Sequence, residues 1–146
     1  MERGRFIVGT FLCGAVLCAV GVAFHYLTPL VAPGLEAEYR NEALFRSWGG
    51  WTGYYMLAHP WLFGVPFAGV FLGARALVGN ANLGGVRDGL LYGLAVFVVG
   101  SLPVYALNFA SFQVSAGVVA SWVLQSMCQY SLAGLALGWY NPRAGV

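Results

Sequence analysis

The chain has 146 residues, 60% of them apolar and only 8% charged, with a formal net charge of +2. This composition excludes an ordinary soluble globular domain, and the length leaves room for one small bundle only. The charge is too small and too scattered for a nucleic-acid footprint, so no nucleic-acid partner is expected.

Charges are missing from long stretches of the chain. Phe6 to Leu35, Ser47 to Ala74, and the 54 residues between Asp88 and Arg143 contain no Asp, Glu, Lys or Arg. A bilayer core of about 30 Å takes roughly 20 apolar residues per helical crossing. The first two stretches each supply one crossing and the third supplies two. Residues 1–146 therefore read as one integral membrane domain, an all-α, up-and-down bundle of four transmembrane helices.

The first span is predicted over about residues 6–28, stopping at Pro29. Its start, Met-Glu-Arg-Gly-Arg before an apolar run, has the look of a secretory signal, but the run is longer than a signal core, so it reads as a retained crossing. The loop Pro29 to Gly50 follows. There Glu36, Glu38, Arg40, Glu42 and Arg46 alternate with Leu35, Tyr39, Leu44, Phe45 and Trp48. The pattern predicts a short helix in the outer interface, begun at Pro33-Gly34 and stopped by Gly49-Gly50. Span two is expected over about residues 51–74 with Pro60 and Pro66 inside it, and span three over about 89–110 with Pro103. A very short link near Ser111 to Val114 makes a tight hairpin with span four, about 115–139.

All seven basic residues are Arg. Arg3, Arg5, Arg75, Arg87 and Arg143 fall on one side of this topology, and Arg40 and Arg46 on the other. The positive-inside bias then places both termini in the cytoplasm. Trp48, Trp51, Tyr54 and Tyr55 mark the outer span edge, and Trp139 and Tyr140 the inner one.

Helices in lipid associate by close packing, which small residues permit. Gly-x-x-x-Gly occurs in three spans, as Gly69 with Gly73, Gly89 with Gly93, and Gly134 with Gly138. All three lie near the expected cytoplasmic ends and are assigned to helix packing. Thr10, Gly14 and Cys18 offer a softer version in span one. The three cysteines, Cys13, Cys18 and Cys128, fall inside spans as small apolar packers and give no disulfide framework.

Polar side chains gather toward the outer half: His25, His59, Asn108, Gln125 and Gln129, with Gln113 just beyond span three. Buried polar groups in lipid must face the interior or a partner. Each internal proline also frees a carbonyl four residues earlier, Pro60 that of Met56, Pro66 that of Leu62 and Pro103 that of Val99. For the histidines two readings stand side by side: axial ligation of a haem or a chlorophyll-type magnesium, or hydrogen bonding to a freed carbonyl. Two histidines in total exclude a four-ligand di-haem cytochrome. For Gln125 and Gln129, one turn apart on one face, the alternatives are a quinone head-group site and interhelical hydrogen bonding.

Much chemistry is missing. No ionisable residue is expected within a span, unlike proton- or sodium-coupled transporters. Cys13 and Cys18 lack Cys-x-x-Cys spacing and sit in an apolar helix that disfavours the thiolate. No hydrolase triad, phosphate loop or carboxylate cluster for a metal is visible.

The stretch Asn41 to Gly64, NEALFRSWGGWTGYYMLAHPWLFG, is similar to a pattern in small four-span bacterial membrane proteins of uncharacterised function. There an Asn-x-x-Leu-Phe-Arg run leads into a span carrying His-Pro. The resemblance implies a bacterial inner-membrane protein, directs attention to Asn41, Arg46, Trp48 and His59, and brings no activity with it.

The expectation from these readings is a non-catalytic accessory or structural subunit. Its partners would be other membrane subunits and lipids in a larger complex, respiratory, photosynthetic or oxygenase in kind. The alternative is a small membrane protein holding a haem, pigment, quinone or lipid among His25, His59, Asn108, Gln125 and Gln129.

Overall fold

The computed structural model describes residues 2–46, 49–79 and 83–142. Trp48 and Arg143, which entered the edge and orientation arguments, lie outside the described residues. Among those described, every regular element is helical and there is no strand. The elements are α1 (Glu2–Val31), α2 (Pro33–Tyr39), α3 (Trp51–Val78), α4 (Val86–Val96), a π-helical turn (Phe97–Ser101), α5 (Leu102–Ser111) and α6 (Ala116–Tyr140).

Three helical segments are long and apolar enough to cross a membrane: Arg3–Val31, Trp51–Val78, and Val86–Ser111, the last running through the π turn. The expected fourth crossing, α6, has the length, at 25 residues. It is not among the three: Gln125, Gln129 and three serines interrupt its apolar character. The four-span count therefore does not follow from apolarity alone.

Boundaries shift where local chemistry differs from the pattern. Pro29 does not end α1, which continues to Val31. A proline in the last turn removes only the bond to the carbonyl four residues back, and Ala32 N–H still donates to Thr28 O at 2.8 Å. The loop helix α2 begins at Pro33 but ends at Tyr39, far short of Gly49-Gly50. Asn41 ends the regular structure: its Oδ1 accepts from Ala43 N–H at 3.0 Å, and its carbonyl takes both Leu44 and Phe45 N–H. An Asx side chain offering the backbone such partners competes with helix. Upstream of Pro103 the helix widens, with Leu102 N–H reaching Phe97 O. A π turn beside a proline accommodates the missing donor without breaking the rod.

The four rods, counting α4 to α5 as one, run up and down. Within the α1–α3 pair, Phe6 approaches Gly69 and Gly14 approaches Gly64. Helix α6 runs antiparallel to both α1 and α4, with Gly9 near Leu137, Gly85 near Gly138 and Gly93 near Tyr130. Helices α3 and α4 meet through aromatic side chains, Tyr92 lying 4.8 Å from the Phe67 ring and 5.3 Å from that of Phe71. The core is Cys13, Leu17, Phe67, Ala68, Phe71, Ala133 and Leu137. It lies toward the end that carries the N-terminus of α1 and the C-termini of α3 and α6.

The tightest contact is between α4 and α6. A Cβ on Gly89 would fall 2.0 Å from Gly134 O, and one on Gly93 2.1 Å from Tyr130 O. In the reverse direction, Gly134 faces Gly89 O at 2.1 Å and Gly138 faces Gly85 O at 2.3 Å. Backbone lies on backbone, which only glycine permits. A second close approach joins α3 to α1, where a Cβ on Gly64 would lie 2.8 Å from Thr10 O. Gly69 and Gly73 differ. A Cβ on Gly69 would make an ordinary 3.5 Å contact with Phe6, and one on Gly73 would meet nothing within 4 Å. This pair mediates no close helix approach among the described residues.

The first loop clasps the other end of the bundle. Glu38 Oε1 accepts from Ser115 N–H at 2.7 Å, a carboxylate at the positive end of α6. Ser115 Oγ itself accepts from Val118 N–H as the N-cap. The Tyr39 and Ser121 hydroxyls lie 2.6 Å apart, and Ser121 donates onward to Val118 O. Burial raises the Tyr39 pKa above its ordinary value of 10.0.

Candidate functional site

The candidate polar residues divide between two environments. His25 lies on the outward-turned part of α1, exposed, with its ring edge-on to Tyr26 at 5.2 Å. It lines a groove of about 420 Å³ between α1 and α3, together with Cys18, Gly21, Tyr54, Met56 and Pro60. This volume falls at the small end of ligand-binding clefts. Gly21, Gly50 and Gly53 are among its lining residues.

Gln125 and Gln129 stand on α6 behind the same stretch of α1. A Cβ on Gly21 would come 3.2 Å from Gln129 Nε2 and 3.7 Å from Gln125 Nε2. Gln129 Nε2 donates to Leu17 O at 2.8 Å, joining α6 to the backbone of α1. The fold thus brings His25 and the two glutamines to within one turn of α1, Gly21 to His25. The glutamines are half-buried there.

His59 and Asn108 do not join this group, and neither lines the groove. His59 is exposed on α3, where its Nδ1 lies 3.1 Å from Met56 O and its ring stacks on Tyr55. That carbonyl is the one Pro60 frees, so the imidazole replaces the lost helical donor when Nδ1 carries the proton. Asn108 sits half-buried near the end of α5. Among the described residues no group of three or more His, Cys, Asp or Glu is arranged to hold a metal ion. The three cysteines are unpaired thiols.

Other polar side chains bind between helices at depth. Tyr92 donates to Phe67 O at 2.7 Å, Tyr105 pairs with Ser126, and Cys13 Sγ points to Ala133 O at 3.9 Å. The sequence places Arg75 at a span edge. It is in fact only 4% exposed. Its guanidinium donates to Asn141 O at 2.5 Å and Pro142 O at 2.6 Å, fixing the end of α3 to the C-cap of α6 and the residue after it. Gly85 N–H donates to the same Asn141 carbonyl at 2.9 Å. Helix ends leave carbonyls without intrahelical donors and carry partial negative charge, so a cation there meets two needs at once. No signal in the sequence separates this arginine from the other span-edge arginines.

No family model, no curated protein and no solved structure matches this chain.

Proposed function

We propose that this chain is a four-span integral protein of a bacterial inner membrane, with both termini cytoplasmic, that serves as a non-catalytic accessory subunit of a larger membrane complex. The observation that carries the reading is where the polar side chains go. Gln129, Tyr92, Tyr105, His59 and Arg75 all meet carbonyls or hydroxyls of the bundle itself. Gln129, Tyr92, Tyr105 and Arg75 tie one helix to another, and His59 satisfies a carbonyl of its own helix. The fourth crossing is supported by the placement of α6 between α1 and α4, with Gln129 turned to α1 and away from lipid. Its 25 residues span about 37 Å at 1.5 Å each. Orientation is supported by Arg3, Arg5, Arg75 and Arg87 at one end against Arg40 and Arg46 at the other.

The test is purification in a mild detergent, followed by native mass measurement. The reading expects stoichiometric retention of other membrane polypeptides. A solitary monomer, recovered without partners from several mild detergents, would overturn it.

One observation favours a second reading, a ligand-binding role. His25 lines a preformed apolar groove, which suits a small apolar ligand such as a quinone, a pigment or haem edge, or a lipid chain. A visible spectrum of the purified protein and mass spectrometry of its organic extract, each compared with His25→Ala, test this. A flat spectrum and identical extracts would remove it.

A further inference from the structure

At the arginine end, outside the tight core, a second groove of about 520 Å³ lies against α1 and α3. Its rim is cationic, with Arg3 and Arg5, and the buried Arg75 forms part of the wall. Its floor is apolar, with Phe6, Leu72 and the Gly69–Gly73 face. Among the described residues, no carboxylate lines it. Two features separate this groove from bare packing surface. The first is the glycine pair: the other Gly-x-x-x-Gly pairs are filled by a neighbouring backbone, whereas a Cβ on Gly73 would meet nothing within 4 Å. The second is Asn141, which lines the groove at 1% exposure and whose buried Oδ1 has no hydrogen-bond partner among the described residues. A buried acceptor of this kind calls for a donor.

We infer that this groove binds an anionic glycerophospholipid, with the phosphate on Arg3 and Arg5, a headgroup hydroxyl at Asn141, and the start of an acyl chain over Gly69 and Gly73. Guanidinium groups suit phosphate because their planar donors match its oxygens in pairs. Arg75, held by the carbonyls of Asn141 and Pro142, adds fixed positive charge behind them. Phosphatidylglycerol supplies all three parts: the anion, the hydroxyl donor and the chain. The inference rests on the membrane reading above, in which the arginine end faces the leaflet richer in anionic lipid.

The experiment is native mass spectrometry of the full chain from nanodiscs holding equal phosphatidylglycerol and phosphatidylcholine. The wild-type chain is expected to retain phosphatidylglycerol preferentially. Arg3→Gln with Arg5→Gln should weaken that retention about thirtyfold, at about 1 kcal/mol for each arginine near the surface. Gly73→Phe keeps every charge but fills the floor, and should also reduce retention. Soluble glycerophosphoglycerol, a headgroup without chains, should fail to displace the lipid. Equal retention of the two lipids by the wild-type chain would overturn the inference, as would undiminished retention in both variants. Displacement by the soluble headgroup would overturn its chain-binding part. Alkaline carbonate extraction separates this from the reading beneath it. Protein released from membranes defeats the membrane reading itself, whereas protein that stays in membranes without lipid preference defeats only the lipid site.

Discussion

Replacing Gly93 with alanine puts a methyl carbon 2.1 Å from the Tyr130 carbonyl oxygen and 2.8 Å from its carbonyl carbon. Neither atom is able to swing aside, because both belong to the backbone of a 25-residue helix. Relief merely to 3.0 Å, the shortest approach a Cβ makes, takes a displacement of about 1 Å between α4 and α6. A gap of that size removes a quarter to a half of the dispersion attraction along the seam, and overpacking of this kind costs about 1–3 kcal/mol. The rigid obstacle places Gly93→Ala near the top of that range, about 3 kcal/mol. Gly134→Ala meets Gly89 O at 2.1 Å in the same seam and should cost as much. The double variant, however, should cost well under the sum, because one displacement makes room for both methyls. Gly73→Ala is the control, expected within about 0.5 kcal/mol of wild type because its methyl meets nothing. Reversible unfolding in mixed micelles with rising SDS, followed by circular dichroism, measures all four. If Gly93→Ala proved as stable as Gly73→Ala, or if the double variant were fully additive, the backbone-contact argument would fail.

Three further outcomes are expected. Gln129→Leu removes the bond to Leu17 O and should cost about 0.6 kcal/mol in the same titration, the usual worth of an interhelical hydrogen bond in a membrane; a loss above about 2 kcal/mol would show that the glutamine does more than join helices. Arg75→Met strips two backbone carbonyls of a cationic donor and should cost about 2–3 kcal/mol, with Arg75→Lys recovering only part because an ammonium lacks the planar fork; full rescue by lysine would show that charge alone matters. Tyr39→Phe should speed amide exchange in α2 and cost about 1 kcal/mol. Because burial raises the Tyr39 pKa above 10.0, the unfolded chain ionises first, so this contribution is intact below pH 10 and declines as pH rises beyond it. A Tyr39 contribution, taken as wild type minus Tyr39→Phe, that grew as the pH rose above 10 would reverse that sign.

Composition carried the all-α character and three of the apolar rods, because hydrocarbon admits few charges and the sequence shows where they are missing. It did not carry the status of α6. Hydropathy counts Gln125 and Gln129 against a crossing, yet the bundle turns both toward Gly21 of α1. A motif's spacing likewise does not say which face of a helix it occupies. Gly89 with Gly93 and Gly69 with Gly73 read alike in sequence. The buried stripe of α3, however, is Pro60, Gly64, Phe67, Ala68, Phe71 and Arg75, and the second pair falls off it. The close approach at Gly64 left only a small-residue signal, Pro60, Gly64 and Ala68 four apart. Of the candidate site, residue types were readable and grouping was not. His25 and His59 lie at similar expected depths, but only His25 lines the α1–α3 groove.

The two glycine contacts divide the bundle into two tight pairs, α1 with α3 and α4 with α6. Between the pairs the character of the contact changes. Cys13 to Ala133, Leu17 to Gln129 and Phe67 to Tyr92 are side-chain links to backbone carbonyls, and the rings of Phe63 and Phe67 lie against Tyr130. Hydrogen bonds and aromatic contacts tolerate small sliding motions that a backbone-on-backbone seam does not. The plane between pairs is therefore the compliant one, bridged at the arginine end by Arg75 and near the opposite end by the α2 clasp on α6. Both grooves open beside the α1–α3 pair, one at each end. The α4–α6 pair, closed along its glycine seam, is the rigid side against which they form.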